Sequence, residues 1–468
     1  MSIDTAKLEE TIRRVLAKLP ADQVADAGSA TTGDGVFADM DSAITAAAKA
    51  YREYLGRSMA DRRRYVEAIR ECMLKPEHLD FMSTQAVLET GMGDVAHKYL
   101  KNKVAAQGTP GTEDLVTEAW SGDDGLTTVE YSPYGVIGAI TPTTNPTETI
   151  TCNTIGMLAA GNSVVFSPHP RAKNLSLWQV RKINQALRSV GAPDNLVVTV
   201  TEPSIDNTNK MISHRDVRMI VATGGPGIVK TVLSSGKKAI GAGAGNPPVV
   251  VDATADLDHA AKCIVDGASF DNNLPCTAEK ECIAVDAITD LLKFKMTQHG
   301  AYEVSTEQAY QLIDLVIGER GPKTEWVGKP ASQILEAIGV QPPVGVRLII
   351  AEVGADCPLV VKELMMPILG IVRVPDVDTA IDLAVELEHG NRHTAIMHSK
   401  DVNKLTEMGK LIQTTVYVKN GPSYAGIGIG GEGYPTFTIA GPTGEGLTSA
   451  RSFARRRRCT LVGALSVR

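Results

Sequence analysis

The sequence has no C-x2-C pair: its seven cysteines stand at positions 72, 152, 263, 276, 282, 357 and 459. An odd number so widely scattered gives neither metal-site spacing nor a disulfide framework, and reads as free thiols in a reducing cytoplasm. No apolar run approaches the roughly 20 residues needed to cross a bilayer. The start, Met1-Ser2-Ile3-Asp4-Thr5, lacks the basic head and apolar body of a secretory signal. An excess of positive charge is also missing: 47 Lys and Arg stand against 54 Asp and Glu, for a net charge of −7. This argues against a general nucleic-acid binder, whose affinity rests on basic surface, and against a polybasic membrane-surface protein. Aromatics are scarce at 4%, whereas glycine numbers 43. That balance suits an α/β enzyme better than an aromatic-rich binding module. With 468 residues there is room for about three folding units.

The first segment is detachable. Over residues 5–19, TAKLEETIRRVLAKL, the apolar Leu8, Ile12, Val15, Leu16 and Leu19 form one helical stripe, and Asp4 can cap it. Residues 20–36 follow as a small, polar linker without periodicity. A helix this short is marginal alone in water and needs a surface for its stripe. It either folds onto its own protein or docks another protein as a helix in a groove.

From Phe37 the pattern is globular. Helical periodicity covers 41–54 and 60–74. Strands at 136–140, 163–166, 196–200, 217–222 and 248–251 then alternate with helices near 147–160, 175–190 and 226–233. Such alternation predicts a doubly wound parallel sheet with ligands at the carboxyl ends of its strands. A second α/β unit has a helix over 256–270, strands at 283–285, 348–351, 370–374 and 416–418, and a helix over 378–389.

Among glycine runs, Gly224-Gly225-Pro226-Gly227 lies between strand and helix, where helix N–H groups meet phosphate. Gly426-Ile427-Gly428-Ile429-Gly430-Gly431 matches G-x-G-x-x-G but opens no helix of a βαβ unit, so it reads as a chance match. Gly241-Ala242-Gly243-Ala244-Gly245 suggests a close backbone approach. Cys276, in the polar loop DNNLPCTAEKE, has the setting of a reactive thiol; the other six cysteines do not.

Five segments together resemble the aldehyde dehydrogenase superfamily over nearly the whole chain after Phe37. They are SPYGVIGAITPTTNPTET (132–149), VATGGPG (221–227), GNPPVVVDATADLDHAA (245–261), the cysteine loop (271–281) and ELMMPILGIVRV (363–374). EHGNRHTAIMHS (388–399), FTIAGPTGEGLTSARSFARRRRC (437–459) and the N-terminal helix with its linker narrow this further. They resemble the coenzyme-A-acylating aldehyde dehydrogenases of bacterial microcompartments, the propionaldehyde dehydrogenase type. Where hydrolytic relatives carry a glutamate base in E-L-G-G-K, this chain has the run 241–245, which favours acyl transfer to a thiol over loss to water.

The resemblance implies an α/β aldehyde dehydrogenase-like fold. Its parts are a Rossmann-type dinucleotide domain (37–118 and 137–253), a catalytic domain (254–425), and an oligomerisation flap with the C-terminal segment (119–136 and 426–468). It implies Cys276 as nucleophile and Asn145, with the Cys276 N–H, as oxyanion holder. For NAD it implies Thr141 and Pro142 along the cofactor path, Ser167-Pro168-His169 near the adenosine ribose, Gly224 and Gly225 at the pyrophosphate and Glu363 at the nicotinamide ribose. Coenzyme A is the implied acyl acceptor and no metal is implied. The expected product is an acyl-CoA from a short aldehyde, propionaldehyde first and acetaldehyde second. The expected setting is cytoplasmic, inside a microcompartment whose shell protein binds residues 1–19, as a homo-oligomer (dimer or tetramer). Glu279 and Glu281 read as structural, or one as a proton acceptor in the missing base's place. His389 and His393 read as surface or hydrogen-bonded histidines, or as contacts to a coenzyme A phosphate. Arg455 to Arg458 read as an intersubunit salt-bridge segment, or as a phosphate contact. The rival readings are a hydrolytic aldehyde dehydrogenase and a non-catalytic cargo or scaffold protein.

Overall fold

The computed structural model describes residues 32–319 and 321–467. The expected helix over 5–19 and most of the linker lie outside the described residues. Two parallel sheets organise the rest. The first has six strands in the order Val36–Phe37, Val197–Val200, Ser163–Pro168, Val136–Thr141, Val217–Thr223 and Lys238–Ala242. Its central strands are buried at every position, as a parallel sheet covered on both faces requires.

Period-two alternation splits these strands between two cores. Ile137, Ala139, Val164 and Phe166 pack with the helices Met59–Met73, Pro76–Thr90, Pro146–Ala159 and Lys173–Ser189. Val136, Ile140, Val165 and Val198 pack with Met40–Tyr54, Ile205–Ser213 and Pro226–Leu233. The strand order reverses beside Val136–Thr141, which opens a crevice at the carboxyl ends.

The second sheet has seven strands: Ala301–Glu303, Leu348–Glu352, Ile368–Val374, Glu281–Val285, Pro248–Val251, Thr394–His398 and Val416–Lys419. Two expected boundaries need correction here. Pro248–Val251, assigned to the dinucleotide unit, lies in the middle of this second sheet, between Glu281–Val285 and Thr394–His398. Its wholly apolar run fits the centre of either sheet, so periodicity could not choose between them. Val36, assigned to the linker, pairs with Thr199 and is buried. Just before it, Asp34 binds Arg188 at 2.8 Å. The chain therefore joins the sheet before residue 37.

A third, antiparallel sheet consists of Glu118–Gly122, Gly125–Pro133 and Ala454–Val462, the last pairing residue by residue from Ala454↔Pro133 to Val462↔Gly125. No helix among the described residues is long and apolar enough to cross a membrane.

Candidate active site

Four adjacent strands of the second sheet begin just after the residues of interest. Glu363 precedes Ile368–Val374, Cys276 precedes Glu281–Val285, Gly245 precedes Pro248–Val251 and His393 precedes Thr394–His398. Neighbouring strands thus deliver four separate stretches of sequence to one edge.

The cysteine loop is held by a turn of unusual hand. Asp271, Asn272 and Asn273 all have positive φ (49°, 53° and 66°), a region that Asn and Asp tolerate better than other non-glycine residues. Each side chain is tied down. The Asp271 carboxylate accepts from the Asp94 N–H at 2.7 Å, Lys98 Nζ at 3.1 Å and Lys101 Nζ at 2.6 Å. Asn272 donates to Gly328 O at 2.9 Å, and Asn273 donates to Ala268 O and Glu279 O. Lys280, fully buried, closes the loop from beneath by donating to Asn273 O, Asn273 Oδ1 and Pro275 O. Burial lowers the Lys280 pKa, and the nearby Glu363 and Cys276 oppose that.

Cys276 itself is partly exposed and packs against an apolar cluster that includes Ile427, Phe437 and Ile439, on which Tyr424 and Ile429 also rest. These residues belong to the stretch containing the G-x-G-x-x-G run. Gly426 there is pressed against Val416 rather than opening a helix after a strand. Burial and the Glu363 carboxylate push the Cys276 thiol up to about 12, against the pull of Lys280 and Lys101.

Asn145 stands at the start of the helix Pro146–Ala159, yet its side chain does not cap that helix. Its Oδ1 accepts from Lys101 Nζ at 2.5 Å and its Nδ2 donates to Thr144 Oγ1 at 3.2 Å. Lys101 also pairs with Glu148 at 3.1 Å and with Asp271.

The third wall is backbone. The Gly245 N–H donates to Glu363 Oε1 at 3.3 Å. A Cβ on Gly245 would lie 2.9 Å from His393 Cγ and 3.0 Å from the Cys276 carbonyl oxygen. The run 241–245 therefore makes its close approach here. Gly241 itself lies under Val229 in the strand Lys238–Ala242, so Gly245 is the residue of the run placed against the cysteine.

His393 is buried and hydrogen-bonded, which fits the second of its expected settings and excludes a surface position. Its Nδ1 is bonded to Thr394 Oγ1 at 2.8 Å and its Nε2 has no hydrogen-bond partner. Burial and the neighbouring Lys280 charge depress it to about 4. Glu279 is also buried, raised to about 7 by desolvation, and engages Ser423 through both carboxylate oxygens. Glu281 is buried and pushed well up. His389 keeps a surface position, with Nε2 3.2 Å from Val361 O.

Thr141, Pro142, Ser167, Pro168, His169, Gly224 and Gly225 line one cleft of ≈ 330 Å3 at the carboxyl ends of the first sheet. The helix Pro226–Leu233 begins there with Gly225 as its N-cap and no side chain capping it. Its first-turn N–H groups are free to meet an anion, and a Cβ on Gly225 or Gly227 would find open space. The apolar Ile140, Ile205 and Ile228 add a surface on which a flat ring can rest. This donor set fits a dinucleotide. Lys101 and Lys280 are the site residues that sequence reasoning missed, although Lys280 lies inside the cysteine loop that resembles relatives.

The chain matches the aldehyde dehydrogenase family over residues 21–306. It is 49% identical over 468 residues to the propanal dehydrogenase (CoA-propanoylating) of Citrobacter freundii, covering all of both chains. Among solved structures, the propionaldehyde dehydrogenase of Rhodopseudomonas palustris with bound CoA and an acylated cysteine is 64% identical. Its TM-score is 0.92, over 93% of this chain and 100% of that one. A propionaldehyde dehydrogenase from the Clostridium phytofermentans fucose utilisation bacterial microcompartment is 53% identical, with TM-score 0.91 and coverage of 93% and 100%.

Proposed function

The chain belongs to the aldehyde dehydrogenase family, and on that footing we propose that it is a coenzyme-A-acylating enzyme, oxidising a short aldehyde with NAD+ and coenzyme A to acyl-CoA and NADH. Propionaldehyde is the first choice of substrate, as the similarity to CoA-propanoylating relatives supports, and acetaldehyde the second. Thr141 and Pro142 would lie along the path of NAD, Ser167, Pro168 and His169 would meet its adenosine ribose, Gly224 and Gly225 its pyrophosphate, and Glu363 its nicotinamide ribose.

The Cys276 thiol first gives up its proton to water, and the thiolate, favoured by the Lys280 and Lys101 charges, adds to the aldehyde carbonyl, forming a C–S bond and moving negative charge onto oxygen. Asn145 Nδ2 and the Cys276 N–H receive that charge, a contribution worth about 10²–10³ in rate for one such donor. Bound NAD+ supplies the acceptor for the hydride, which leaves a thioester on Cys276. His393 is neutral at pH 7, and with Nδ1–H turned to Thr394 its Nε2 can accept a proton from the coenzyme A thiol. The thiolate attacks the thioester, the same donors hold the new oxyanion, and Cys276 leaves as thiolate.

One observation carries acyl transfer over hydrolysis. Beside Cys276 stands the side-chain-free Gly245, and the neighbouring carboxylates are engaged, Glu363 with Gly245 and Glu279 with Ser423. The run 241–245 thus places no carboxylate of its own beside the cysteine to activate water. Purified protein incubated with propionaldehyde and NAD+ should turn over continuously only when coenzyme A is present, and yield propionyl-CoA. Equal turnover without it, giving propionate, would overturn the reading. NADH formation should vanish in Cys276→Ala, and its persistence would place the chemistry elsewhere.

Residues 1–19 are assigned a separate role, carriage into a microcompartment through a shell protein. Support comes from their amphipathic stripe and the microcompartment source of a relative. Fused to a fluorescent protein, residues 1–35 should enter a co-expressed shell, and diffuse fluorescence would sink this role.

A further inference from the structure

Within the acyl-transfer reading, on which this inference rests, we infer that Lys101 is a positioning residue: it fixes which end of the Asn145 amide is free to donate, and it locks that amide to the turn that presents Cys276.

A lysine ammonium has only donors. Placed 2.5 Å from Asn145, it selects the amide oxygen as its partner and leaves the NH2 end for other acceptors. The helix start would otherwise draw the same oxygen onto its own N–H groups, the ordinary fate of asparagine at such a position. Here no such bond forms. The same ammonium lies 2.6 Å from Asp271 Oδ2 and 3.1 Å from Glu148 Oε1, and none of the three charged side chains is exposed. Asp271 heads the left-handed turn that leads into Cys276. One cation thus bridges a residue between the strand and helix of the first sheet to the cysteine loop of the second.

Burial works against the Lys101 charge, but Asp271 and Glu148 more than offset it and hold the ammonium above the ordinary lysine range. The charge therefore persists across the working pH range. Lys98 is the internal contrast. It binds the same Asp271 and the backbone oxygen of Thr144, and makes no bond to the Asn145 amide.

The test is a double-mutant cycle on the NADH-forming half-reaction, which the acylating and hydrolytic readings share. Asn145→Ala should lower its rate about 10²-fold. Lys101→Gln should lower it at least tenfold while KM for propionaldehyde changes less than about threefold. The double variant should fall no more than about threefold below Asn145→Ala alone, because Lys101 acts through that amide. Losses that simply multiply would overturn the assignment. Thermal melting and size-exclusion profiles report whether each variant folds. Should Lys101→Gln fail to fold, Glu148→Gln is measured in the same cycle, since it leaves both lysines paired with Asp271 and removes one anchor of Lys101. Its loss should likewise disappear in the Asn145→Ala background, and equal losses in both backgrounds would overturn the proposal. A wild-type protein that forms no NADH defeats the functional reading instead.

Discussion

A methyl group on Gly245 would be within 3.0 Å of both the His393 ring and the Cys276 carbonyl oxygen, so neither neighbour can stay where it is. Gly245→Ala should therefore cost about 10²-fold in kcat/KM, the scale of a misplaced reacting group, and lower the melting temperature by the equivalent of about 1–3 kcal/mol of overpacking. A loss below threefold would mean that the cysteine and histidine do not depend on this spacing. His393 makes a second prediction at the same scale. Its folded pKa near 4 lies below the ordinary histidine value, so the neutral base survives well below pH 6.5. Acyl transfer to coenzyme A, followed as thiol-dependent turnover, should keep its rate down to about pH 5 and fall as pH approaches 4. The same shift sets a stability slope: between pH 6.5 and 4 the unfolded chain binds the proton more readily, so folding weakens as pH falls through that window. Cys276, Asn145 and Glu363 could be singled out because each sits inside a recognisable segment. Lys101 sits in none, and Lys280, inside the cysteine loop, suggested no role, because a buried lysine and a surface lysine look alike until the carboxylates and carbonyls around them are placed.

Nine of the thirteen strands of the two sheets read from their apolar runs, with boundaries within two residues of the observed ones, but Val36–Phe37, Lys238–Ala242, Ala301–Glu303 and Thr394–His398 did not. Among the described residues eight helices escaped, six of them Ile205–Ser213, Asp286–Gln298, Thr306–Val316, Ala331–Ala337, Pro358–Val361 and Val402–Ile412. The other two, Pro76–Thr90 and Val95–Gly108, bury Ser83, Thr84, Lys98, Lys101 and Asn102 along with their apolar residues, and this erases the helical stripe. The polar residues that hid one helix are among those that build the site. The left-handed turn Asp271 to Asn273 was visible only as an Asn-rich loop, since its conformation depends on partners far away in sequence. Asn273 anchors it from three sides, with two donated bonds and the Lys280 contact. Asn273→Ala leaves Lys280 short of a buried acceptor and keeps a positive φ without a local hydrogen bond to favour it. The expected destabilisation is about 2–4 kcal/mol, read as a lower melting temperature, with kcat falling more than KM rises. An unchanged melting temperature would show that the turn is held from elsewhere.

At the scale of the whole molecule, the site lies where the carboxyl edge of one sheet faces the amino edge of another, and a third sheet stands clear of both. Its strand Ala454–Val462 pairs on one side only and is exposed along nearly its full length. Leu461 and Val462 are 46% and 79% exposed, and Trp120 in the same sheet is 53% exposed. An open edge of nine residues with apolar ends is a template for pairing, which supports the proposed homo-oligomer. Its charge pattern restricts how that pairing can occur. Arg455, Arg456, Arg457 and Arg458 follow one another, and of these only Arg456 has an ion pair, with Glu118, among the described residues. Two copies of this strand laid antiparallel over its full length would set Arg458 against Arg458, and the register that pairs Arg455 with Arg458 and Arg456 with Arg457 would oppose all four, an unfavourable cross-strand match. The strand should instead meet a different, more acidic surface of the second copy, in a chain whose net charge is −7. The two geometries predict opposite responses to salt. Screening would relieve arginine repulsion and strengthen self-pairing, but it weakens attraction between arginines and carboxylates. Light-scattering mass across a sodium chloride series should therefore show dissociation as salt rises. Leu461→Asp with Val462→Asp should lower the mass already at low salt, and association strengthened by salt would point to the self-paired strand.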